Sequence, residues 1–175
     1  LLLSLPGDFI SKEKTLALKT LEQDAVVAQW ARIFEPSVLS LEERYAELSW
    51  FRETAAPFRG MILTSVGEDI ETSFWESQYL ARAFKEITGI EVHHNVIGEG
   101  DLVERLMEHI EQGRNHFDIY VADADLVGMH LRTRKIVILS EYMAGEGKKY
   151  TNPNLDLEDF LNLECGQDYE GNQLQ

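Results

Sequence analysis

Carboxylates recur at matching places in this chain. Glu68 and Asp69 follow the run MILTSV (61–66). Glu99 and Asp101 follow IEVHHNVI (90–97), in the turn GEGD. Asp123 and Asp125 stand in FDIYVADADL (117–126). Each pair comes just after an apolar run of strand length. Acids delivered by strand ends to a crevice can hold a hard cation, serve phosphoryl transfer, or accept hydrogen bonds from the hydroxyls of a small solute.

The spacing weighs these chemistries differently. No loop has the D-x-D-x-D-G order of a calcium loop, and no H-x-x-x-H or H-E-x-x-H occurs. His93 and His94 are adjacent in a strand pattern, so they face opposite ways. No metal is expected. FDIYVADADLVGM and IVILSEYM resemble the third and fourth strands of a receiver domain, in which Asp123 would be phosphorylated. The stretch from Asp123 to Ser140 is too short for a full helix, and Lys148 and Lys149 follow Ser140 too closely for another helix and strand. A nucleophile is unsupported: G-x-S-x-G is absent, and Cys165 lies in an acidic segment without a nearby His. GEGD is neither a dinucleotide fingerprint nor a phosphate loop, so no cofactor is expected; it reads first as a tight strand-to-helix turn. Recognition of a neutral polar solute remains. Each carboxylate can accept from two hydroxyls, and Phe74, Trp75 and Tyr79 could stack on a sugar face. Their helical spacing nevertheless assigns them first to core packing.

The elements that must position these residues follow from periodicity. Leu16, Leu21, Trp30, Ile33 and Phe34 have loosely helical spacing, closed by Pro36. Ser40 with Glu43 forms a capping box before Leu41, Tyr45 and Leu48. Residues 1–56 therefore read as a helical extension. After the break at 57–60 the period changes. Strands are expected at 61–66, 90–97, 117–123 and in KIVILSEYM (135–143). The helices between them carry Leu80, Ala83, Phe84 and Ile87, then Leu102, Leu106 and Ile110, with a shorter piece over 125–135. Ser73 with Glu76, and Asp101 with Glu104, read as their caps, and Gly89 and Gly113 as their ends. LDLEDFL (155–161) reads as a further short helix. Alternation of strand and helix implies right-handed crossovers and a parallel sheet, hence an α/β fold for residues 57–175. In such a sheet all carboxyl ends face one edge, where ligands bind.

Composition narrows the partners. The chain has 175 residues, 44% of them hydrophobic, enough for one domain with a sizeable core. Lys and Arg number 16 against 31 Asp and Glu, a net charge of −15, which disfavours nucleic acid and anionic membranes. One cysteine permits no internal disulfide, and no apolar run reaches the ~18 residues of a transmembrane helix. The remaining general reading is a non-catalytic acidic α/β interaction domain.

Several segments, in order, resemble the extracellular solute-binding proteins of bacterial ABC importers, in the carbohydrate and polyol group. They are PFRGM (57–61), SVGEDIETSFWES with its continuation EITGIEV, GEGDLVERL, GRNHFDIYVADADLVGMH, and YMAGEGKKYTNPNLDLEDF. The resemblance runs from about Leu48 to Leu174 and covers the first lobe of a two-lobed clamshell, incompletely. It implies a periplasmic or extracellular protein that binds a sugar or polyol and hands it to membrane permease subunits, with no reaction. It carries Glu68, Thr72, Glu99, Asp123 and Asp125 over as solute-binding residues, with Glu68 and Asp123 as the leading hydroxyl acceptors. The group tends to have Pro and His where this chain has Glu71 and Ser73, and Asn where it has Ala122. The polar end DYEGNQLQ, with no terminating helix, reads as a chain cut before the hinge and second lobe, and such a half-clamshell is expected to bind its solute weakly or not at all.

Overall fold

The computed structural model describes residues 24–121 and 126–174. The described part opens with two helices that pack on each other. Helix α1 (Ala25–Ile33) starts where the Asp24 carboxylate accepts from the Val26 and Val27 N–H groups at 3.1 and 3.2 Å. Helix α2 (Leu41–Thr54) starts at the expected capping box: Ser40 Oγ accepts from Glu43 N–H, and the Glu43 carboxylate accepts from Ser40 N–H at 2.7 Å. Each cap satisfies amide donors that the first helical turn leaves without partners. Leu16 and Leu21 lie outside the described residues, and Ile33 is half exposed rather than buried.

A sheet follows, built of β1 (Ile62–Glu68), β2 (Glu91–Ile97) and β3 (Ile119–Tyr120) in the order β2-β1-β3, all parallel. This is the α/β architecture expected from the alternating pattern. Between β1 and β2 runs one helical stretch: α3 (Glu71–Trp75), a π-turn (Glu76–Leu80), and α4 (Ala81–Thr88). Helix α5 (Glu99–Gln112) joins β2 to β3, α6 (Val127–Thr133) follows β3, and α7 (Leu139–Ala144) closes the regular elements. Gly89 and Gly113 end α4 and α5 with φ of 78° and 67°, the left-handed conformation that a glycine adopts without steric cost.

Two apolar cores flank the sheet. On one side α1, α2 and α4 bury Val27, Trp30, Ala31, Tyr45, Ala83 and Ile87 together. On the other, Val66 of β1 packs with Leu102, Leu106 and Ile110 of α5, and with Phe117 and Met129. The three α5 residues are spaced to form one face, as read from the sequence. Burying each such side chain contributes roughly 1.5–3 kcal/mol.

Four sequence expectations fail here. Residues 135–143 form no strand: the chain is irregular to Ile138 and then helical in α7. The third strand is two residues long among the described residues, so it gives a fourth strand little ladder to extend. Neither cap is where the capping boxes put it. The first helical stretch starts at Glu71 behind Ile70, and α5 starts at Glu99 behind Gly98, both without a side-chain cap. Over 155–161 only a 3₁₀ turn forms, Leu157–Asp159, with the Asp156 carboxylate accepting from Glu158 N–H.

Candidate functional site

The register fixes the acidic edge. β1 and β2 pair from Ile62↔Glu91 through Glu68↔Ile97, so the two strands end level. Glu68 is the last residue of β1 and is half buried, while Glu99 is exposed in the first turn of α5 two residues beyond the end of β2. The carboxyl ends of neighbouring strands therefore bring Glu68 and Glu99 to one edge. Side chains alternate along a strand, so Glu68 lies on the same face as Val66, the face covered by α5. Thr72 is exposed in α3 and approaches that edge from the helix that follows β1. Asp123 and Asp125 lie outside the described residues.

Beside Thr72 stands an aromatic surface that sequence reasoning assigned to the core. Phe74, Trp75 and Tyr79 are 46%, 48% and 52% exposed. The Trp75 and Tyr79 rings stack with centroids 6.4 Å apart and planes 27° from parallel. The stretch that carries them includes a π-turn. Its inward face explains the exposure: spacing back from Ala83 and Ile87 leads to Ser73, Glu76 and Ser77, so polar residues take the inward positions and leave the aromatic ones outside.

Beneath this surface lies a polar cluster on the opposite face of β1 from Val66. Ser65 Oγ and His94 Nδ1 are 2.6 Å apart, from paired positions on β1 and β2. The His94 side chain is 5% exposed, and its Nε2 stands 3.6 Å from the Glu76 carboxylate on the π-turn. That separation lies outside hydrogen-bond range, which is why Nε2 has no hydrogen-bond partner. Ser73 is 2% exposed, and Ser77 Oγ donates to the His94 carbonyl at 3.3 Å. Gly67 closes the cluster: a Cβ there would stand 2.9 Å from both His94 Nε2 and Ser73 Oγ. His93, on the other face, is exposed and pairs with Glu91, so the two histidines do face opposite ways.

Two further residues were not found by sequence reasoning. The Asp118 carboxylate accepts from Thr64 N–H at 2.8 Å, taking the place of a backbone acceptor where β1 runs past the short β3. Tyr120 Oη lies 2.6 Å from Nε2 of the buried His130, and burial pushes the Tyr120 hydroxyl pKa up. A lone Tyr in a strand and a lone His in a helix give no sequence signal of such a meeting.

The roomier cleft lies elsewhere. About 840 Å³ opens along the outer edge of β3, lined by apolar residues including Phe117, Ile119, Val137, Phe160 and Leu161. Glu68, Thr72 and Glu99 do not line it. We assign the candidate site to the acidic edge and its aromatic surface, because there the groups that can bind hydroxyls and the groups that can stack on a ring occur together. Among the described residues no cluster of three or more His, Cys, Asp or Glu is placed to hold a metal ion. No helix among them is long and apolar enough to cross a membrane. Comparisons with protein-family models, with curated proteins and with solved structures gave no match.

Proposed function

We propose that this chain is a first lobe of a solute-binding protein serving a bacterial ABC importer, and that its cargo is a sugar or polyol. The ordered segments from PFRGM to YMAGEGKKYTNPNLDLEDF motivate the family. The observation that carries the site is the exposed Trp75–Tyr79 stack, one turn from Thr72 on the helix that follows β1. An aromatic face attracts the C–H face of a sugar ring, and carboxylates orient its hydroxyls. Glu68 and Glu99 would supply those acceptors, Thr72 would donate or accept, and the resemblance adds Asp123 and Asp125 as further acceptors. The solute is held and released without reaction, in a periplasmic or extracellular setting, for transfer to permease subunits.

The test is titration of the chain with glycerol, glucose and maltose, followed by calorimetry and tryptophan emission. One surface without an opposing wall supports weak affinity, about millimolar. Trp75→Ala and Glu68→Gln should each weaken it about tenfold, the loss of one stacking contact or one charge-assisted hydrogen bond. Unchanged affinity in both variants would remove the site. No response to any of the three solutes would remove the reading.

A further inference from the structure

We infer that the buried His94 and the half-buried Glu76 form a positioning pair that makes the aromatic surface respond to pH. The inference concerns regulation of the proposed site and takes its importance from that reading. Its geometry stands apart from any solute.

The argument begins with the π-turn. It is an irregular turn that seats one more residue than an α-helix would, and such turns are uncommon. Trp75 immediately precedes it, Glu76 opens it, and Tyr79 lies within it. Glu76 faces inward to His94 while Trp75 and Tyr79 face solvent, so one turn connects a buried imidazole to the exposed stack.

Proton bookkeeping on the ring is constrained at both nitrogens. With Glu76 ionised, the neutral ring carries its proton on Nε2, and Nδ1 accepts from the Ser65 hydroxyl. A second proton must go to Nδ1. Ser65 then rotates to accept, and the 2.6 Å bond survives with its direction reversed. The ring now bears a full positive charge 3.6 Å from Glu76, with Nε2–H still lacking a hydrogen bond. Closing the remaining gap draws Glu76 inward and turns the residues on either side of it.

The charged groups of α4 and β2 around the ring are held by partners of their own. Facing the ring, β1 offers Ser65 and Gly67, and the α3 and π-turn segments offer Ser73, Ser77 and Glu76. On α4, Arg82 is held by Glu86 and Lys85 by Glu91. On β2 itself, Glu91 and His93 pair with each other on the other face.

The experiment records Trp75 emission across the range where imidazoles titrate, without any solute. The signal is the difference between the natural chain and Trp75→Phe, since Trp30 and Trp50 also emit. A step in that difference is expected, absent in Glu76→Gln, which keeps the size of the side chain and removes its charge. His94→Asn should also abolish the step. If that variant unfolds, Glu76→Gln decides alone. A Trp75 signal flat with pH, or a step that persists in Glu76→Gln, overturns the inference. Because no solute is present, failure here is distinguishable from failure of the proposed binding function.

Discussion

Arg44 offers the sharpest check on how the helical part is held. It lies in the second turn of α2 and is 7% exposed, unusual for an arginine. Nε donates to the Ala31 carbonyl at 2.7 Å, Nη1 to the Leu39 carbonyl at 2.6 Å, and Nη2 to the Glu35 carboxylate at 2.7 Å. Ala31 belongs to the last turn of α1, whose carbonyls have no partner within the helix. Arg44→Met keeps the apolar stem and removes all three donors. Ala31 is wholly buried, so its carbonyl is left without water, at a cost of about 1–3 kcal/mol. Leu39 is 37% exposed and Glu35 is 63% exposed at its side chain, so both recover water and each loss is about 0–1 kcal/mol. The sum is about 1–5 kcal/mol, a melting point lower by roughly 2–20 °C for a chain of this size. Arg44→Lys keeps the charge but not the fork of donors, and should fall between the two. Urea unfolding of the three proteins measures this. A loss under about 0.5 kcal/mol for Arg44→Met, or a lysine variant as stable as the parent, would refute the reasoning.

Gly67→Ala should destabilise the chain by about 1–2 kcal/mol in urea unfolding. Its methyl group would press on His94 and Ser73 at 2.9 Å, partly offset by the lower entropy of an unfolded alanine; a neutral result would mean that the cluster yields easily. Acid should destabilise the fold as well. Hydrogen bonds from Arg82 and then Trp30 hold the Glu86 carboxyl below the usual carboxylate range, and Lys85 and then His93 do the same for Glu91. A depressed folded value means stability that is present above the unfolded value, about pH 4.5, and lost as pH falls through the folded one. The urea midpoint should therefore decline below about pH 4.5, and less steeply in Glu86→Gln; parallel declines would exclude Glu86 as a contributor.

What the sequence made legible was local. Gly89, Gly113, the Ser40–Glu43 box and the buried stripe of α5 each depend on residues within one or two turns, and each stands as read. What it hid depends on partners far along the chain. KIVIL has the composition of a strand, but a strand also needs a ladder, and β3 pairs over only two residues. Arg44 reads as a solvated helix residue until the α1 carbonyls are placed against it. The opposed faces of His93 and His94 were legible from alternation alone, whereas the meeting of His94 with Ser65 needed the β1–β2 register. At the candidate site, the strand ends placed Glu68 and Glu99 correctly at one edge. The exposure of Trp75 and Tyr79 was missed because aromatic residues at helical spacing read as core, whereas the inward positions here belong to the polar Ser73, Glu76 and Ser77.

The two faces of β1 differ in kind, and that difference bears on where movement can occur. The α5 face is apolar: Val66, Leu102, Leu106, Ile110, Phe117 and Met129 interlock there. Removing any one of them would leave a cavity. Opposite the same strand, Ser65, Gly67, Ser73 and His94 provide hydrogen bonds and little apolar area. Polar contacts of this kind are nearly balanced against hydration and change with protonation, whereas apolar burial does not. The α5 face should thus stay fixed while the π-turn above the polar face opens locally, at a free energy well below that of global unfolding. If the proposed function holds, a surface that closes on a solute and releases it is best placed on the second kind of face, where Trp75 and Tyr79 are carried.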